Sequence, residues 1–348
     1  MAAALRHSKE DNKTAFQTGD KKIVHSVFDK LLKQTAGHEL PPNATIQKQL
    51  PTKNGIQIYI VGKPNGMPRA IYKFTNNPPA TTSLLHHART LKSQEKLFKS
   101  ADLDFYIPEI YAVYQNNMTV GLFESIIPGI TLQKFIQEKE SERLPSIMAD
   151  VSAKLGSFYG TQQSVINVVD EEINLLVDTP IDTIESKLGM LNRTFIGRKL
   201  LALRLELNGA LSWQQLAFGP IHGDLSPNNI ILDSITGEMI GLTNWEAAEQ
   251  SGYPAVDLFH LILNVSAQMD HKEVGTAVVK ALKQPRRFDS KAYLIADTNK
   301  LTAPNDSDRI VILLAWLQYL QRNLPKDTPT TQRFYWFYKN IVRVLAKL

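Results

Sequence analysis

Cysteine is absent from all 348 residues. That excludes disulfides, thiolate nucleophiles and cysteine-bound zinc, and makes a reducing, cytoplasmic setting the expectation. Long apolar runs are missing too. The longest, "IVILLAWL" from Ile310 to Leu317, is well below the ~18 residues that suggest a membrane span and reads as a buried helix. The opening "MAAALRHSKEDNKTAFQTGDKK" has no apolar core of signal-peptide length before its charges begin. A dense Lys/Arg block is also lacking. The formal charge of +5 is spread along the chain, which permits an acidic or phosphorylated ligand but gives no nucleic-acid motif. There is no internal repeat and no low-complexity tract. What remains is an ordinary composition, 43% hydrophobic and 21% charged, in a chain long enough for one large domain or two lobes.

The first part reads as strands. "IQIYIV" (Ile56 to Val61) and "RAIYKF" (Arg69 to Phe74) are β-branched and aromatic runs joined by a segment containing Asn65-Gly66, which predicts an antiparallel hairpin. A second pair, "PEIYAVYQ" and "TVGLFESI", hinges at Asn116-Asn117. Between the pairs one helix is expected from Thr81 to about Lys99, entered through Pro78-Pro79. Beyond Pro128-Gly129 the period becomes helical. Met148, Val151, Leu155 and Phe158 form one stripe, and similar patterns run through Arg198 to Ala217, Ala255 to Val265, Arg309 to Leu320 and Gln332 to Leu345. The expected division is therefore residues 1–127, an N-terminal extension with a β-rich lobe, and residues 128–348, a helical lobe.

Two constellations carry chemistry. On the Thr81 helix, Leu84, Ala88, Leu91, Glu95 and Phe98 fall on one face, which puts a carboxylate on the buried stripe, where it needs a cation or donors. Lys73, beside Ile71 and opposite Tyr72 and Phe74, is the candidate partner, and a lysine so held can contact nucleotide phosphates. The alternative is a solvated lysine and a glutamate that bends outward. The second constellation is "HGDLSPNNIILD", a polar turn-prone loop running into a short apolar strand, followed by "IGLTNWE". Asp224 and Asn229 lie five apart, a spacing that can turn a carboxylate towards a hydroxyl and an amide oxygen towards magnesium, which needs only one or two protein oxygens beside water and phosphate. A loop of Asx turns with capping roles is the plain alternative.

"HGDLSPNNIILD", followed by "GLTNWEAAEQSGYPAVDLFHLIL", closely resembles the core of the aminoglycoside phosphotransferase and choline kinase superfamily. With "SIIPGITL" as lobe linker, the likeness reaches back to Glu95 and Lys73. It implies an α+β, bilobal protein-kinase-like fold, with a small antiparallel sheet in the N-lobe and a mainly helical C-lobe. It also implies ATP and Mg as cofactors and transfer of the γ-phosphate to a hydroxyl of a small molecule, such as a sugar or amino alcohol. By position, Lys73 would contact phosphates and Glu95 would orient it. Glu124, Ser125 and Ile126 would face the adenine through backbone groups. Asp224 would be the catalytic aspartate and Asn229 a metal ligand, with His222 and Asp257 bracing the loop.

One position departs from the family pattern. Asn244 stands where the resemblance leads one to expect the principal metal-binding aspartate. Its carbonyl oxygen can still ligate, and in an extended strand Glu246 would point to the same side and replace part of the lost charge. The departure leaves open a catalytically impaired, nucleotide-binding pseudokinase of the same fold. A helical binding module with a fortuitous loop is a third reading.

Overall fold

The computed structural model describes residues 21–35, 40–53, 55–138, 142–188, 195–283, 307–324 and 330–348. The reading of residues 1–20 lies outside them. The chain divides into two compact units, one holding the residues up to Leu97 with Ile107–Ile127, the other Phe98–Tyr106 with Pro128–Leu348.

The first unit is an antiparallel sheet of five strands in the order β1-β2-β3-β5-β4. These are β1 (Thr45–Lys53), β2 (Ile56–Gly62), β3 (Pro68–Thr75), β4 (Ile110–Gln115) and β5 (Val120–Ser125). The β2–β3 hairpin turns where expected. Gly66 N–H donates to the Lys63 carbonyl, and Asn65 takes φ 57°, a left-handed value that asparagine tolerates. The register pairs Tyr59 with Tyr72 and Ile60 with Ile71. Both faces are covered, so the strands read as nearly continuous apolar runs. Helix α1 (21–34) packs Val24, Val27, Phe28 and Leu31 on the face carrying Tyr59, Tyr72, Phe74 and Phe123. The Phe28 ring meets Tyr72 and Phe123 edge-on at 5.5 and 5.3 Å. Helix α2 (Pro78–Ala101) lays Leu84 and Ala88 against the other face, on Ile56, Val120 and Leu122. Neither α1 nor β1 was expected from sequence. β1 is an edge strand whose Pro51 falls at an irregularity of the pairing, where a missing N–H is tolerated and the alternation is blurred.

In the second unit, β6 (Ile130–Thr131) joins β9 (Ile230–Leu232) and β10 (Met239–Leu242) in one small sheet. β7 (Ser164–Asn167), β8 (Gln215–Ile221) and β11 (Glu249–Gly252) make another. Helices surround them: α3 (Leu132–Gln137), α4 (Leu144–Gly160), α5 (Asp170–Ile173), α6 (Thr179–Leu188), α7 (Phe195–Leu211), α8 (Pro254–Met269), α9 (Val274–Lys283), α10 (Ser307–Asn323) and α11 (Thr330–Phe337). The expected stripe on α4 is fully buried at Met148, Val151, Leu155 and Phe158. The expected helix through Ala217 is corrected. α7 stops at Leu211, Trp213 takes φ 64°, and Leu216 and Phe218, two apart, belong to strand β8 paired with β7. A core of Phe98, Phe158 and Trp245, with ring centroids within 5.7 Å, lies beneath the loop that leaves β8 at His222.

Candidate functional site

Strand β8 delivers the chain to a turn that only glycine can make. Gly223 has φ 78°, and a Cβ there would lie 1.9 Å from the Ala247 carbonyl oxygen. The turn is held from below by Asp257, in the first turn of α8 and 1% exposed. Its carboxylate accepts the N–H of His222 at 2.7 Å, the N–H of Gly223 at 3.0 Å and the Tyr159 hydroxyl at 3.3 Å. The helix N-terminus adds a favourable field for this buried anion. Burial, then the Asp257 charge, raises the Tyr159 hydroxyl well above its ordinary range, so it stays a donor.

The His222 ring lies against Trp245, its centroid 4.9 Å away. Nε2 is 2.8 Å from the Thr243 carbonyl and must donate, while Nδ1 accepts the Asp224 N–H at 3.3 Å. One nitrogen donates and the other accepts, which is the neutral imidazole. Burial lowers the His222 pKa, against the opposing pull of Asp257, Thr243 and Asp224. His260, also on α8 and 2% exposed, is pushed down to about 4, chiefly by burial.

Asn229 is buried and ties the loop across. Its Nδ2 donates to the Asp224 carbonyl at 2.7 Å, its own carbonyl accepts the Thr243 N–H at 2.9 Å, and its Oδ1 accepts from Asn244 Nδ2 at 3.1 Å. The Asp224 carboxylate, a quarter exposed, has Asn229 Nδ2 at 3.4 Å and Arg322 Nη1 of α10 at 4.0 Å. Arg322 carries no local sequence signal and was not anticipated. The strand geometry assumed for Glu246 does not hold. Asn244 is left-handed (φ 71°, ψ 53°) and Trp245–Ala247 form a 3₁₀ turn, so the two-residue alternation that would set Glu246 beside Asn244 is broken. This donor set does not fit a magnesium ion as the resemblance implies. The Asn229 oxygen already accepts a hydrogen bond, and the Asn244 group turned towards it is an N–H, not the carboxylate oxygen the resemblance calls for.

In the first unit, Lys73 is on the α2 face of β3 as its alternation indicated, but its partner differs. Lys73 Nζ meets Glu124 Oε1 at 3.0 Å and His87 Nε2 at 3.0 Å, and His87 Nε2 lies 2.7 Å from Glu124 Oε2. Glu95 is half-buried at the helix edge. The buried face of α2 runs through Leu84, His87, Ala88, Leu91, Gln94 and Phe98, so it turns towards Gln94 rather than Glu95. An apolar pattern could not reveal His87 or Gln94. Burial pushes the Glu124 carboxyl up, yet Lys73 and His87 outweigh it and hold it at about 2. The Glu124 side chain is thus committed to this cluster, and its backbone lies inside the β5 ladder. The Ser125 N–H donates to the Glu109 carbonyl, while Ile126 lies just past the strand end.

No protein-family model and no curated protein sequence matches the chain. Solved structures do. A protein from Ralstonia eutropha, provisionally named an aminoglycoside phosphotransferase, aligns over 92% of this chain and 96% of its own at 12% identity, with a TM-score of 0.54. An aminoglycoside phosphotransferase of Streptomyces rimosus aligns over 84% of this chain and 98% of its own at 16% identity and 0.49. A protein from Haemophilus somnus, provisionally named a fructosamine-3-kinase, aligns over 85% and 97% at 11% identity and 0.42. The chain thus has the α+β fold of the Ralstonia protein, as the sequence resemblance led one to expect.

Proposed function

We propose that the chain is a phosphotransferase that binds ATP and passes its γ-phosphate to a hydroxyl of a small molecule. One observation carries the reading. Around the loop, His222, Asn229 and the α8 residue Asp257 are buried and committed to holding the backbone, whereas the Asp224 carboxylate keeps a quarter of its surface open. That is the arrangement of a fixed base with one free face. Asp224 takes the proton of the acceptor hydroxyl, the acceptor oxygen forms the new P–O bond, and ADP leaves.

Lys73, steadied by Glu124, is assigned to the nucleotide phosphates, and the Ile126 backbone to the adenine. Arg322 beside Asp224 disfavours a polycationic acceptor and suits a neutral or anionic alcohol such as a sugar. No step is assigned to a metal ion. The Asn229–Asn244 hydrogen bond favours a second reading, nucleotide binding without turnover.

The test is calorimetric titration with ATP, followed by phosphate transfer over a panel of small alcohols. Asp224→Ala should lower turnover by ~10²–10⁴-fold while ATP affinity stays within about twofold. Wild-type turnover in that variant removes the assignment of Asp224. ATP binding without transfer to any acceptor makes the second reading the better one.

A further inference from the structure

We infer that the Asn229–Asn244 amide pair closes the cation position of this loop, so that the chain takes its nucleotide without a divalent ion. The statement about nucleotide rests on the reading above; the statement about the amide pair does not. The polarity of the pair follows from chemistry. The Asp224 backbone carbonyl can only accept, so Asn229 must turn its Nδ2 towards it, at 2.7 Å. The Asn229 Oδ1 then faces residue 244, which must donate, and Asn244 does so at 3.1 Å. Asn229 is 4% exposed, and an ion reaching its oxygen would compete with a buried hydrogen bond.

An aspartate at 244 inverts the situation. It would set acceptor against acceptor at about the same separation, an arrangement that a bridging cation or proton relieves. Amide and carboxylate are thus alternative solutions to one juxtaposition, the first complete by itself and the second needing an ion. The backbone does not force the choice, because asparagine and aspartate both tolerate the left-handed conformation found at 244 (φ 71°, ψ 53°). The surrounding charge agrees with the first solution. Arg322 Nη1 lies 4.0 Å from Asp224 Oδ1, a positive charge already beside the carboxylate of this loop.

The test compares the full chain with its Asn244→Asp variant in two measurements. In the first, ATP binding is titrated with magnesium or with EDTA. Wild-type affinity should agree within about twofold between the two, whereas Asn244→Asp should bind at least about tenfold more tightly with magnesium. In the second, thermal unfolding is followed without nucleotide. Asn244→Asp should melt about 2–5 °C lower than wild type in EDTA and recover with magnesium, and the wild type should not respond. The inference is overturned if wild-type ATP affinity rises tenfold with magnesium, or if Asn244→Asp melts like the wild type under both conditions. If neither protein binds ATP, the nucleotide reading falls, and the melting comparison alone decides the amide pair.

Discussion

The two units each bury a carboxylate, and they meet its charge in opposite ways. In the first, Glu124 is compensated by the ammonium of Lys73 and the ring of His87, ion against ion and side chain against side chain. In the second, Asp257 is compensated by two backbone N–H groups and a hydroxyl, ion against dipoles. A charge pair can be removed as a pair. An anion that gathers backbone donors cannot, because its partners belong to the main chain and stay behind unpaired.

The largest expected effect breaks the second arrangement. Asp257→Ala leaves three donors unpaired at ~1–3 kcal/mol each, so a loss above about 4 kcal/mol in urea denaturation is expected. Next comes Lys73→Met, which strands the Glu124 charge and should cost about 3–5 kcal/mol, most of it regained in Lys73→Met with Glu124→Gln. A double variant as unstable as the sum of its parts would dissolve the contrast.

A third prediction separates the two units along the pH axis. His260, held at about 4, takes up its proton later than the unfolded chain does at 6.5. The His260 contribution is therefore complete above pH 6.5 and is lost, by up to about 3 kcal/mol, as pH drops towards 4. Glu124, held at about 2 against 4.5 unfolded, contributes stability that is complete above pH 4.5 and is lost on descent towards 2. Acid titration of the urea midpoint should show two stages, His260→Gln reducing the upper, to which buried His222 also contributes, and Glu124→Gln reducing the lower. The smallest effect is expected from Glu95→Gln, below about 1 kcal/mol in the same assay, because that carboxylate is only half-buried.

Sequence reading reached the loop but missed His87 and the side-chain contact of Glu124 in the ion cluster, for one physical reason. His222, Gly223, Asp224 and Asn229 act on one another within eight residues, so their order in the chain is their order in space. Lys73, His87 and Glu124 come together only through strand pairing and a helix laid across it. Periodicity placed Lys73 on the correct face, since strand alternation is independent of partners. It failed for Glu95, because a stripe defined by apolar residues cannot tell which of two adjacent polar positions, Gln94 or Glu95, lies beneath. The hairpins and the change of period made a strand-rich first part and a helical remainder legible, whereas the fold class followed from the resemblance carried by the loop. The helix over 21–34 also kept its spacing of Val24, Val27, Phe28 and Leu31, yet no motif drew attention to it.

The adjacency of β3 and β5 fixes more than the sheet order. Lys73 pairs in register with Leu122, so Glu124 is its diagonal neighbour on the same face, and the two charges are fastened by a continuous ladder of main-chain bonds. A lysine tethered to a helix can be switched by swinging that helix. Here, displacing α2 would remove only the imidazole of His87 and leave lysine and glutamate clasped. The pair is wired into the fabric of the sheet, and a regulator pulling on the helix would have little leverage over it.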